Sequence, residues 1–384
     1  MIGYIKRKEV SDMAKKGILM LPPAITNDRA LDIFRLLAKA NLTIGRMKSE
    51  FSHSIVNESL ISMFALSESV QSTRIEGTQV TFTDMVEYNK NEERWEQREV
   101  LNYQRALQTG LAMINNGDPI STRMIKAVHS ILMEQARGTN SAGGEFRKIQ
   151  NFIGPDSKIE HAVYIPVAAN EIDCYMENLE FYINSMPHRS FQKYNALDGM
   201  VLDENIDAII KIAIMHAQFE SIHPFLDGNG RLGRILIALM AVRTGLVDYP
   251  VFLVSEELEK ERSRYYDLLN GIRGTTPDWY PWIKFFITAS LRMAERLLEK
   301  MQQATDLATG GLGKCELDSE KKLWLYTFSN PAATVTDAAR QLGMSPATAR
   351  KGLNNLVEKE LLYGDENVKR NRKYRNYDLL RILN

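Results

Sequence analysis

Cysteine is scarce in this chain. Only Cys174 and Cys315 occur, far apart, so neither a disulfide framework nor a cysteine metal site is encoded. Net charge is missing as well. The 48 basic residues match 48 acidic ones, which removes any global pull toward nucleic acid or a membrane surface. No run is long and apolar enough to span a bilayer. The start, Met1 to Lys8, lacks the apolar core of a signal peptide, so a cytoplasmic protein with no membrane role is expected. Repeats and low-complexity tracts are absent, and strand signals are few. What remains is an ordinary globular composition, 44% apolar and 25% charged. Its 384 residues suffice for two or three domains.

What is present is helix after helix. Thr26 and Asn27 cap a first helix through Leu31, Phe34, Leu37 and Ala38. A second covers Glu58 to about Gln71, with Leu60, Ile61, Phe64 and Ala65 on its buried side. Helices also cover Glu99 to Leu111, Thr122 to Met133, Ile172 to Ile183 and Ser263 to Asn270. Another runs from Pro281 to Gln302, with Trp279 and Trp282 packing it to the core. His129 and His161 read as packing or surface residues without a role. Leu307 to Gly313 has the composition of a flexible linker.

The chemistry collects between two apolar helices. Ile206, Ile209, Ile210, Ala213, Ile214 and Ala217 recur at helical spacing, and Ile235 to Val242 suits a helix buried on all sides. Between them runs His223-Pro-Phe-Leu-Asp-Gly-Asn-Gly-Arg-Leu-Gly-Arg234. Gly228, Asn229 and Gly230 can take backbone conformations closed to most residues. Their N–H groups can form an anion nest where the positive end of the next helix begins. Arg231 adds a planar fork suited to phosphate, and Arg234 lies on the same helix face. Asp227 is a hard oxygen ligand, apt for a Mg²⁺ that also bears phosphates. His223 can accept a proton near neutral pH. The residues alone describe a polyphosphate cradle with a metal ligand and a base.

The same run matches the Fic motif, His-x-Phe-x-(Asp or Glu)-Gly-Asn-Gly-Arg-x-x-Arg, at every defined position. The chain therefore resembles Fic-domain protein adenylyltransferases, which move AMP from ATP to a hydroxyl of a target protein. The resemblance implies that His223 deprotonates a Tyr, Thr or Ser hydroxyl and that Asp227 holds Mg²⁺ on the phosphates. It implies that Gly228, Asn229 and Gly230 bind phosphates, that Arg231 and Arg234 meet the β- and γ-phosphates, and that Phe225 anchors the loop. Automodification is implied as a companion activity.

Other segments take on meaning beside that motif. Ser72-Thr-Arg-Ile-Glu76-Gly77 by itself reads as a helix end, with Gly77 as the stop. It also matches the family's inhibitory pattern, (Ser or Thr)-x-x-x-Glu-(Gly or Asn). The resemblance implies that Glu76 pairs with Arg234 and blocks the γ-phosphate site. Gln150 to Pro166 reads as a short β-hairpin bounded by Gly and Pro. The resemblance makes it a flap whose Asn151, Phe152, Ile153 and Gly154 line the nucleotide pocket and whose main chain pairs with the target. Tyr265 and Tyr266 are packing residues by themselves and nucleotide contacts by the resemblance.

Beyond the linker the pattern changes. Leu323 to Phe328 is one helix, Thr336 to Gly343 a second, and Ser345-Pro346 starts a third running to Leu362. Gly364 to Tyr374 fits a β-wing with Lys369, Arg370, Arg372, Lys373 and, just past it, Arg375. DNA contact and a dimerisation or target-docking role are the alternatives for this winged helix-turn-helix. The fold class is thus mainly α: an all-helical Fic core with a hairpin flap, plus that C-terminal domain. Boundaries fall at 1–115 for the inhibitory region, 116–306 for the catalytic core and 307–384 for linker and winged helix. Two rival functions share the sequence: removal of AMP by the same site with Glu76 assisting, and a DNA-binding regulator working through the C-terminal domain.

Overall fold

The computed structural model describes residues 14–88, 94–135, 143–155, 158–195, 199–365 and 372–384. Two short strands, β1 (Lys15–Lys16) and β2 (Ala24–Ile25), lead into α1 (Asn27–His53). α1 buries Ile33, Leu37, Ala40, Ile44, Met47 and Phe51, the three- and four-residue steps of one helix face. α2 (Asn57–Ile75) gives way to Glu76 as its C-cap, with Gly77 beyond it at φ 100°. α3 (Phe82–Val86) is closed by a capping box between Thr81 and Asp84. α4 (Trp95–Asn115) and α5 (Thr122–Leu132) pack side by side.

The flap follows. Its pairing is narrower than the hairpin expected. Ile153 N donates to Tyr164 O over 2.9 Å, and Val163 N donates back to Ile153 O over 2.9 Å. Pairing stops there because Gly154 and Pro155 follow, and proline has no N–H to offer. A 3₁₀ turn, Ile159–His161, occupies the return. β3 (Tyr164–Ile165) pairs in parallel with β1. α6 (Ile172–Ile183) and β4 (Met200–Val201) come next, β4 pairing antiparallel with β2.

α7 (Ala208–Ile222) and α8 (Asn229–Arg243) form the centre. Every α7 residue from Ile209 to Ile222 is buried, and so is every α8 residue from Arg231 to Ala241. α9 (Ser255–Lys260) and α10 (Arg262–Gly271) lead to α11 (Trp279–Lys314), which lies along α1 and α7. The Trp282 indole donates to Ala213 O over 2.9 Å. Among the described residues no helix is long and apolar enough to cross a membrane.

The 307–313 run is not a linker: α11 continues through it to Lys314. Packing overrides composition here. The Trp324 indole donates to Ala308 O over 2.9 Å, and a Cβ on Gly311 would lie 2.3 Å from the Trp324 ring. Glycine is the seat the tryptophan needs. Gly311→Val should therefore lower stability by about 1–3 kcal/mol through overpacking. Gly310→Ala, with nothing within 4 Å, should be neutral or stabilising by up to about 1 kcal/mol. Thermal melts of the two variants decide it, and equal melting points would refute the seat.

α12 (Asp318–Ser329), β5 (Ala332–Thr334), α13 (Val335–Leu342) and α14 (Pro346–Glu358) follow, then β6 (Tyr363–Gly364), β7 (Lys373–Arg375) and α15 (Tyr377–Leu383). The sheet order is β5-β7-β6, all antiparallel. Gly343 stops α13 at φ 61°, and the Ser345 hydroxyl accepts from Thr348 N to start α14. α14 ends at Glu358, short of the expected Leu362. Glu360 leaves the helix at φ 57°, which turns Leu361 and Leu362 into the core. Lys369 and Arg370 lie outside the described residues. Lys373 and Arg375 do not form a free basic wing. Lys373 Nζ donates to Glu87 O over 3.4 Å, and Arg375 pairs with Glu87 over 2.7 Å and with Asp365. Arg372 lies over the Tyr374 ring, 5.2 Å from its centroid. A second tie joins Ser59 of α2 to Ser329 of α12, hydroxyl to hydroxyl over 2.6 Å.

Candidate functional site

α7 has to end where proline follows His223, and His223 itself takes the left-handed conformation, φ 49°. The loop then reaches α8 through Gly228, φ 76°. Three devices fix its course. The Asn229 amide closes a ring with Phe225, accepting from its N–H over 3.0 Å and donating to its O over 2.9 Å. The fully buried Phe225 ring stacks on His129, centroids 3.7 Å apart. The Arg147 guanidinium donates to His223 O over 3.0 Å and to Ile149 O over 3.1 Å, joining loop to flap. The Asn229 side chain is thus spent on the loop, which leaves its backbone N–H for an anion.

Tautomers follow from these partners. His223 Nδ1 lies 3.3 Å from Glu220 O, and a carbonyl can only accept. Nδ1 therefore carries the proton and Nε2 is left as a base. Burial first, then the Arg273 and Arg147 charges, bring the ring down to about 4 against the Glu220 bond and Glu76. It is neutral at pH 7. His129 is the mirror case. Its Nδ1 accepts from Gly144 N over 2.9 Å, so Nε2–H donates to Asp227 O over 3.0 Å. Burial holds it at about 4.

Facing the loop is a cavity of about 620 Å³. His223, Gly230, Arg234, Glu76, Ile153, Gly154, Tyr265 and Tyr266 all line it. Arg234 is fully buried, and its Nε and NH2 are both engaged. Its Nε donates to Ser72 Oγ over 2.8 Å, and NH2 reaches Ser72 O over 3.0 Å and Glu76 Oε1 over 2.5 Å. Burial disfavours the Glu76 charge, but the Arg234 attraction outweighs it and holds the carboxyl below its usual range. The same contact keeps Arg234 charged despite its burial. A Cβ on Gly230 would sit 2.3 Å from Glu76 Oε1, so the carboxylate rests on the bare first turn of α8. Gly77 only ends the helix behind it.

Other expected residues fall elsewhere. Asn151 donates to Phe225 O over 3.4 Å and braces the loop. Phe152 is half-buried and outside the cavity lining. Tyr265 is fully buried with its hydroxyl 2.9 Å from His216 Nε2, so it offers only an edge, whereas Tyr266 is 41% exposed. Arg231 is buried beneath the loop and Asp227 is exposed on it. Among the described residues no three His, Cys, Asp or Glu side chains converge as a metal site. Asp227 offers a single carboxylate, its Oδ1 accepting from Gly228 N over 2.6 Å. That fits a Mg²⁺ carried in on phosphate oxygens better than one bound by protein alone.

The sequence reading missed Glu220, Arg273, Arg147 and Glu99. Glu220 had a signal, an acid inside a helix of mostly apolar residues. It lies buried on the cavity wall, and burial raises its carboxyl to about 7 against Arg234. Arg273 lies 4.1 Å over the Tyr164 ring on the same wall. Arg147 and Glu99 come from distant segments and left no local sign.

A model of the Fic/DOC family matches 119–241, and one of the Fic/DOC family N-terminal region matches 34–112. A "Protein adenylyltransferase Fic" of Drosophila grimshawi is 27% identical over 143 residues, 37% of this chain and 23% of that protein. One of Aedes aegypti is 25% identical over 205 residues, 53% of this chain and 34% of that protein. The chain thus spans about a third or less of these relatives. A Fic family protein from Desulfovibrio desulfuricans G20 has the same fold, TM-score 0.55 at 20% identity, over 93% of this chain and 98% of that one. A Fic domain containing signaling protein from Bacteroides thetaiotaomicron VPI-5482 gives 0.50 at 17%, over 68% and 97%.

Proposed function

The chain belongs to the Fic/DOC family, whose two models together cover more than half of it. From that premise we propose that it is a protein adenylyltransferase, acting on a hydroxyl of a target protein and of itself, and held off by Glu76. One observation carries this reading. A neutral histidine with Nε2 free shares a cavity with a buried arginine already occupied by a carboxylate.

Nε2 of His223 takes the proton from a Tyr, Thr or Ser hydroxyl. The oxygen forms a bond to the α-phosphorus of ATP, and the bond from that phosphorus to the β-bridging oxygen breaks. Pyrophosphate leaves with the electron pair. Its charge is met by the N–H groups opening α8, by Arg231 and by Arg234. Asp227 would hold a Mg²⁺, which would further neutralise the phosphates. Glu76 competes with the γ-phosphate for Arg234, carboxylate against phosphate for one guanidinium. Asn151 keeps the flap against the loop, Ile153 and Gly154 line the nucleotide pocket, and Tyr266 gives the nucleoside a ring face.

The test uses ATP labelled on either the α- or the γ-phosphate, with Mg²⁺ and the purified chain. Protein-bound label from the α position alone supports adenylyl transfer. Label from the γ position, or from neither with Glu76 removed, rejects it.

A further inference from the structure

Arg231 is held from a direction the motif does not specify. Its side chain is 5% exposed, and the nearest acid is Glu99 of α4, with NH1 3.2 Å from Oε2 and a side chain 10% exposed. On the other flank is Asp227, 3.6 Å from NH2 and 58% exposed. Glu99 therefore backs the guanidinium from the interior, and Asp227 stands on the solvent side. The pairing with Glu99 is one of charge, not of alignment. Arg231 Nε and NH1 have no hydrogen-bond partner among the described residues. The remaining contact is NH2 with the Met133 sulfur at 3.9 Å.

That combination is unusual for a structural arginine. A buried donor left unpaired costs about 1–3 kcal/mol, and most buried polar atoms avoid it. Here Nε stays unpaired and NH1 meets only the Glu99 charge, at the start of α8, beside the turn that opens it. A long side chain without a rear anchor would also lose its aim, since arginine carries about 2 kcal/mol of rotamer entropy. Glu99 supplies that anchor from α4, within the N-terminal family region and outside the motif-bearing one.

We propose that Glu99 is a positioning residue: it holds NH1 of Arg231 from behind, so that NH2, on the Asp227 flank, is turned toward the departing pyrophosphate. The proposal rests on the adenylyl-transfer reading above. Its effect belongs to the transition state, where charge develops on the leaving group, more than to nucleotide binding.

The experiment uses the full chain with Glu76→Gly as the parent, so an inactive parent would count against adenylyl transfer before Glu99 is touched. Glu99→Gln keeps the shape and removes the charge. It should lower kcat by about tenfold or more while KM for ATP moves less than about threefold. Glu99→Asp should recover part of the loss. Adding Glu99→Gln to Arg231→Ala should change nothing further, because the two act as one unit. Three results would overturn the proposal: a Glu99→Gln protein with the parent's kcat, a further drop of the same factor in the Arg231→Ala background, or a loss explained by a vanished melting transition.

Discussion

Glu76→Gly raises the rate of AMP transfer roughly tenfold to a hundredfold over the wild-type chain. The estimate follows from one contact. A hydrogen bond between charged groups contributes about 1.5–3 kcal/mol, and each 1.36 kcal/mol is tenfold in rate. Nothing else needs to reorganise. Arg234 keeps the Ser72 hydroxyl and carbonyl when the carboxylate goes, so the guanidinium stays aimed at the cavity. Glu76 is the cap of α2 and not an interior residue, so the helix survives its loss. Glu76→Gln should fall between the two, since it fills the same space without the charge. Initial rates of α-label incorporation at fixed ATP measure all three proteins. Equal rates would remove the inhibitory role from Glu76.

His223→Ala in the Glu76→Gly background lowers that rate by about 10²–10⁴, the usual contribution of a positioned base. ATP binding should be kept, because the cradle is made of α8 and its loop. The pH dependence adds a sharper signature. The base works only when neutral, and burial with Arg273 places its pKa at about 4. Glu76 raises that value, so deleting Glu76 moves it further down. In Glu76→Gly the acid limb of kcat/KM should therefore lie near pH 4 or below, not at the pH 6.5 of a free imidazole. A limb that stays near pH 6.5, or a loss smaller than tenfold, would transfer the base role to another group.

Much of this was legible because the motif is contiguous. From Ser221 to Arg234 the sequence spells both helix ends, the turn and the charges, and α7 and α8 announce themselves by the helical spacing of Ile206 to Ala217 and the apolar run from Ile235 to Val242. Glu76 was legible only beside that motif: by itself Ser72 to Gly77 reads as a helix end, and the resemblance supplied Arg234 as the partner. Geometry across distance was not. Arg147 binds His223 O from far upstream, and Glu99 meets Arg231 from α4, yet neither carries a periodic or motif signal. Composition misled at 307–313, where glycine means room for Trp324 and not slack. It misled again at the wing, where Lys373 and Arg375 look like a basic surface but serve Glu87.

Those ties set the kinetics of release. α2 is pinned near its start by Ser59 to Ser329 and in its last turn by Ser72 to Arg234, while α3 beyond it is tied by Glu87 to Arg375. A strut pinned at both ends cannot swing its carboxylate out of the cavity without breaking both. The freedom left is the torsion of one side chain at the final turn, with about a third of it facing solvent. Such rotations take picoseconds to nanoseconds. Occupancy by carboxylate and by nucleotide then form a rapid pre-equilibrium, and progress curves started by adding ATP should be straight from the first turnover, with no lag.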